Sequence, residues 1–274
     1  MRKSFFPGTT GIFALFFVPY IVTIIFNGAN TTLINKKFNV EMLLPVIVSS
    51  QIEDKYELET IKAQTIIARS NFYRTMKEEK NLAITLCQIK EEMEGKSLAC
   101  VILQNKYEKA VTETEGKVIV WNKELKLVPY HELSAGQTRD GVEVFHNEDD
   151  SYLRSVHSLV DKNAKDYLNS VYINKNVLPE RIEIKSRDSA GYVTEILADG
   201  KVLEGEAFRK GMGLTSSNFT IQKSGKEIRF LCSHGLGFSQ YGGNEMAKES
   251  ANAKEILQYY FPEMDVLNIK SVNC

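Results

Sequence analysis

The sequence predicts an α+β protein: one globular extracytoplasmic domain of segregated helices and antiparallel strands behind an N-terminal membrane anchor. Three observations predict it. Two basic residues and a long apolar run open the chain. A strong helical pattern follows at residues 57–79. Beyond it come short strand-like segments separated by turn signals, then a closing helical pattern; such blocks, unlike a regular βαβ alternation, indicate α+β architecture.

The chain has 274 residues, with 43 % hydrophobic and 25 % charged, an ordinary globular composition. A net charge of −1 with scattered Lys and Arg gives no electrostatic footprint for nucleic acid. Arg2 and Lys3 precede the apolar run Gly11 to Phe26. A basic start and an apolar run fit either a cleaved signal peptide or an uncleaved anchor. Asn27 stands two residues before Ala29, where signal peptidase wants a small side chain, so the anchor is favoured. The expected layout is a cytoplasmic start and single-pass membrane anchor over 1–29, a polar linker over 30–39 and the folded domain over 40–274.

Within that domain, "VEMLLPVIVSSQI" is apolar nearly all round and reads as buried helix, with Pro45 tolerable only in a first turn. In "ELETIKAQTIIARSNFYRTMKEE", Leu58, Ile61, Thr65, Ala68 and Phe72 recur at helical spacing. "SLACVIL", "GKVIVWNKELKLVPYHEL", "SYLRSV", "ERIEIKSRDSAGYVTEILADGKVL" and "FTIQKSGKEIRFLC" read as strands, with "NKE", "DSAG", "ADGK" and "KSGK" as their connections. "EMAKESANAKEILQYYF" reads as one amphipathic helix ended by Pro262.

Several chemistries are open to these residues. Gly237 to Gly242 spell GxSxxG, one residue longer than the hydrolase elbow, and His234 lies too near Ser239 in sequence to suggest a triad. Cys232 and His234 share a strand face, but no third orienting group accompanies them. The four histidines form no metal-binding pattern, and Cys87, Cys100, Cys232 and Cys274 contain no CxxC pair, so no metal or cofactor is expected. In an exported chain Cys87 and Cys100 are close enough in sequence to oxidise together; free or partly buried thiols are the default. Glu53, Asp54, Glu57 and Glu59 cluster before the strong helix, either as a solvated helix start or as a source of one general acid.

Four segments together resemble a known family: "ELETIKAQTIIARSNFY", "EGKVIVWNKELKLVPYHELSAGQT", "GKVLEGEAFRKGMGLTSSNFTI" and "SHGLGFSQYGGNEMAKESANAKEILQYYFP". The order and residues are similar to the stage II sporulation protein D family, which includes amidase-enhancer proteins. The resemblance runs from about Val40 to about Pro262. It implies a membrane-anchored protein acting on peptidoglycan glycan strands stripped of stem peptides. It also implies lytic transglycosylase chemistry, in which one carboxylic acid protonates the leaving oxygen and then serves as base for the sugar's own 6-hydroxyl. The implied groove residues are His131, Ser134, His234, Gly235, Gly237, Ser239, Gln240 and Tyr241.

The resemblance fails at its centre. The family's acid lies in a segment like V-V-A-S-E-M-P, and "VIVSSQIED" places Gln51 at that Glu and Glu53 at the proline. Ser233 and Glu245 also depart from the family's glycines, and Gly243 from its alanine. An amide is no general acid near neutral pH. The expectation is therefore a glycan-binding protein with weak or no cleavage. The alternatives are an active enzyme using Glu53 as substitute acid, and a scaffold recruiting other cell-wall hydrolases.

Overall fold

The computed structural model describes residues 39–79, 105–165, 167, 169–224, 227–233 and 236–272. The expected anchor at Gly11 to Phe26, the segment "SLACVIL", Cys87, Cys100, Cys274, His234 and Gly235 lie outside them. No helix among the described residues is long and apolar enough to cross a membrane.

Residues 1–43 form one unit and residues 44–274 another. Of the first, the described part is a 3-10 turn over Val40–Met42 whose N-cap is Asn39. The second carries the fold. It opens with α1 (Leu44–Gln51), with Pro45 in the first turn, where its missing N–H costs nothing. Next come α2 (Leu58–Glu79), α3 (Asn105–Glu113) and β1 (Lys117–Val120). After "NKE" only an isolated Trp121–Glu124 bridge forms, closed by Asn122 and Lys123 at positive φ, and not the second strand expected. Then follow β2 (Tyr130–His131) and α4 (Gly141–Phe145). "SYLRSV" is irregular, not a strand.

The expected meanders are present. β3 (Asn169–Asn174) belongs to the antiparallel order β3-β8-β7, in which β7 is Asn218–Ser224 and β8 is Glu227–Ser233, and β4 (Ile182–Arg187), β5 (Val193–Ala198) and β6 (Lys201–Glu204) form a second sheet. The "DG" of Asp199 and Gly200 turns β5 into β6 with both residues at positive φ, the hairpin geometry that matches strand twist. After α5 (Gly205–Gly211), β7 (Asn218–Ser224) and β8 (Glu227–Ser233) pair across "KSGK". β9 (Phe238–Ser239) pairs in parallel with β2, and β10 (Asp265–Asn268) antiparallel with β1.

The closing helix is two helices, α6 (Gln240–Lys248) and α7 (Ala253–Tyr260). Ser250 at φ 75° breaks the run, and Asn252 with Glu255 forms a capping box that starts α7 afresh.

Two cores result. Ile66 and Ile67 of α2 pack with Ile119, Phe238, Ile256, Leu257 and Phe261 in one. Phe208, Phe219 and Phe230 stack in the other, with Ile196 and Leu214. Each such side chain fully buried stabilises by roughly 1.5–3 kcal/mol.

α2 orders its neighbours through polar side chains as well. Ser70 Oγ accepts from Ile119 N at 2.8 Å. Asn71 holds Val128 at both ends, accepting from its N–H at 2.9 Å and donating to its carbonyl at 2.8 Å. Buried Arg69 donates to the Lys117 carbonyl at 3.0 Å and to Thr114 Oγ1 at 3.3 Å. Asn71→Ala should therefore lower stability by about 1–3 kcal/mol, since both Val128 groups lose their partner. Urea unfolding checks this; Asn71→Asp, which keeps the acceptor alone, should fall between the two.

Candidate functional site

Gln51 is the last residue of α1, and three contacts fix the loop that follows it. Tyr107 Oη donates to the Ile52 carbonyl at 2.7 Å, and Lys106 Nζ to the Asp54 carbonyl at 2.9 Å. Asn244 Oδ1 of α6 accepts from Glu57 N at 2.7 Å. The end of α1 is thus tied to α3 and α6, far away in sequence.

The Gln51 side chain enters a chain of amides. Gln64 on α2 is fully buried. Its Nε2 donates to Gln51 Oε1 at 2.8 Å, and its Oε1 accepts from Gln240 Nε2 at 3.1 Å. Gln240, at the start of α6, also donates to the Gln51 backbone carbonyl at 2.9 Å. Both expected glutamines therefore meet, joined by a third that the sequence pattern marks only as part of a helix.

The β2–β9 ribbon lies beside them. Ser239 pairs with His131 in register, and Tyr241 N donates to the Glu132 carbonyl at 3.0 Å. Gly237 sits at φ 77°, and a Cβ there would fall 2.2 Å from the Pro129 carbonyl oxygen, so only glycine lets the two segments approach. His131 Nδ1 lies 2.7 Å from the Leu236 carbonyl; a carbonyl only accepts, so Nδ1 carries the proton. Tyr241 is half-buried and Tyr56 buried. Burial pushes the Tyr56 phenol up, reinforced by Glu132, Glu53 and Asp161.

Ser134 and Ser239 are fully buried behind this surface. Both serve Asp161, a residue that no pattern in the sequence singles out. Asp161 Oδ2 accepts from Ser134 N at 2.7 Å and from Ser239 Oγ at 2.8 Å. Ser239 is also the N-cap of α6, accepting from Gly242 N at 3.1 Å. Ser158 Oγ and Tyr260 Oη, 2.8 Å apart, complete the cluster. Gly242 makes room for it: a Cβ there would stand 2.1 Å from Tyr260 Oη and 2.4 Å from Ser158 Oγ. Burial pushes the Asp161 carboxyl up, against the hydrogen bonds from Ser134 and Ser239.

Glu53 lies beyond the end of α1, its side chain 62 % exposed and 3.0 Å from Lys55 Nζ. Glu245 pairs with Lys248 at 2.6 Å on the face of α6. Gly243 abuts Phe238, whose Cε2 would lie 2.5 Å from an added Cβ; the ring occupies the space an alanine would need. No three His, Cys, Asp or Glu side chains among the described residues are grouped to hold a metal ion. A cavity of about 530 Å³ beside β5 and β6, lined by Glu143, His146, Asp188 and Glu204 among others, contains none of the expected site residues.

Comparison with known proteins bears on this arrangement. The stage II sporulation protein family model matches residues 28–121, the stretch holding Gln51, Gln64 and Arg69. Over that stretch the chain is similar to the stage II sporulation protein family. It is 26 % identical to stage II sporulation protein D of Bacillus subtilis over 242 residues, covering 78 % of this chain and 70 % of that protein. It is 25 % identical to the Bacillus amyloliquefaciens protein of the same name, over 80 % of this chain and 72 % of that one. An uncharacterised protein of Brachyspira hyodysenteriae is 26 % identical over 95 % of this chain and 73 % of its own. The family match thus takes in two of the three glutamines of the amide chain, and the Bacillus relatives are similar over most of this chain's length.

Two outcomes follow. Gly242→Ala should destabilise by about 1–3 kcal/mol, because its neighbours are a buried polar cluster with nowhere to move; thermal unfolding checks this. For Asp161, the folded state holds its proton more tightly than the unfolded chain. Its contribution is then greatest below the unfolded carboxyl value of about 4 and is lost as pH rises through the higher folded value. The stability of the natural protein relative to Asp161→Asn should fall from acid to neutral pH in urea titrations; a rise would contradict the buried assignment.

Proposed function

We infer that this sporulation-protein relative binds peptidoglycan glycan strands stripped of stem peptides and cleaves them weakly or not at all. One observation carries the reading: an amide, Gln51, stands where the resemblance puts a general acid, its side-chain oxygen held by Gln64 and its backbone carbonyl by Gln240. A proton donor lost from a glycoside-cleaving site costs about 10²–10⁴-fold in rate. Glu53 is a poor replacement, since it is solvated and paired with Lys55.

The ligand surface in this reading joins Gln51, Tyr241 and His131, with Gly237 allowing close backbone approach and buried Gln240 holding Gln51 from within. Ser134 and Ser239 support it from behind through Asp161. The apolar run at Gly11 to Phe26 anchors the chain in the cell membrane, with the domain on the outer side. A role in recruiting other wall hydrolases is compatible with a binding surface that lacks an acid.

The test is mass spectrometry of purified glycan strands incubated with the protein, beside a sedimentation assay for binding. Binding without 1,6-anhydro ends is expected; abundant anhydro ends would overturn the non-cleaving reading. Gln51→Glu should raise cleavage by roughly 10²-fold, because Gln64 Nε2 can hold one carboxylate oxygen and leave the other toward the ligand. If the natural protein cleaves and Glu53→Gln abolishes it, Glu53 is the acid.

A further inference from the structure

The amide chain has a direction. Gln240 Nε2 can only donate, so the atom of Gln64 it meets at 3.1 Å is Oε1. That leaves Nε2 of Gln64 as the donor to Gln51, at 2.8 Å, and makes the Gln51 atom it meets Oε1. The remaining end of Gln51 is therefore its Nε2, which has no hydrogen-bond partner among the described residues. The Gln51 side chain is only partly buried, so this end reaches solvent. The orientation is set from inside the protein: a fully buried Gln64 with both ends occupied cannot turn without stranding Gln240.

We propose that Gln51 is a ligand-binding residue that offers its N–H donors to an acceptor oxygen of the bound glycan, and that Gln64 is a positioning residue fixing those donors outward. This rests on the glycan reading above and adds to it. The substitution of an acid by an amide then replaces proton transfer with a hydrogen bond: Gln51 donates to a sugar oxygen but keeps its protons. The acceptor class is an ether, hydroxyl or acetamido carbonyl oxygen.

Gln64→Glu tests the relay in the full chain. The introduced carboxylate still accepts from Gln240, but when ionised it cannot donate to Gln51. Gln51 must then turn, giving its N–H to that carboxylate and presenting Oε1 to the ligand. When protonated, the introduced carboxyl can donate to Gln51 Oε1 and restore the natural orientation. Affinity for amidase-stripped glycan strands should therefore fall about tenfold from acid to alkaline pH in Gln64→Glu, while the natural protein changes little across the same range. A purely structural role for Gln64 would leave no such pH profile. Gln51→Leu, at a partly exposed position, guards against a Gln64 variant that fails to fold. It should weaken binding about tenfold at every pH. If Gln51→Leu binds strands as well as the natural protein, the inference is overturned and the glycan reading stands. If Gln64→Glu folds and shows a flat profile, the positioning role falls. If the natural protein binds no glycan, both readings fall together.

Discussion

A buried primary amide must satisfy both of its ends, and Gln64 is such an amide. It sits on α2, the longest described helix, and its partners come from α1 and from the start of α6, 13 and 176 residues away in sequence. Leaving either end unpaired costs about 1–3 kcal/mol. The arrangement of Gln51, Gln240 and the loop between α1 and α2 follows from meeting that demand. An acid at position 51 would also satisfy the Gln64 donor, so the site tolerates amide and carboxylate alike in shape. What changes is the other end, from an oxygen able to exchange a proton to a nitrogen that keeps its own.

Behind this surface, a second constraint orients the ribbon. Asp161 gathers Ser134, from the loop that follows β2, and Ser239, from β9. Those two strands pair over only two residues each. So short a parallel ribbon has little stability of its own. The carboxylate, the N-cap of α6 and the close approach at Gly237 fix it instead. Further out, Arg139 ties the same loop to the connection between β4 and β5. Its Nε lies 2.6 Å from Asp188 Oδ2, and its guanidinium is 4.8 Å from the centre of the Tyr192 ring. The β4-β5-β6 sheet is thereby docked to the loop that carries Ser134.

Much of the fold was legible because its signals are local. Helical spacing marked α2, and turn residues marked the meanders β4-β5-β6 and β7-β8. The split between α6 and α7 was legible too, in Asn252 and Glu255, but the amphipathic stripe across both helices masked the capping pattern. The β2–β9 ribbon had no local signature, since two-residue strands show no periodicity. Among site residues, Gln51 and Gln240 came from the resemblance. Asp161 was invisible, because nothing in "SLVDKNAK" distinguishes a buried carboxylate from a surface one. Gln64 stands inside a helical pattern, and its role emerges only when three distant segments meet.

The most direct measurement of the central claim is hydrogen exchange of the glutamine side-chain amides by NMR in the full chain. The account predicts slow exchange for Gln240 Nε2, which donates twice, slowed exchange for one proton of Gln64 Nε2, and solvent-rate exchange for Gln51 Nε2. Addition of stripped glycan strands should then slow and shift the Gln51 resonances. Protected Gln51 protons in the free protein, with Gln240 exchanging freely, would show that the amide chain runs the other way and would contradict the account.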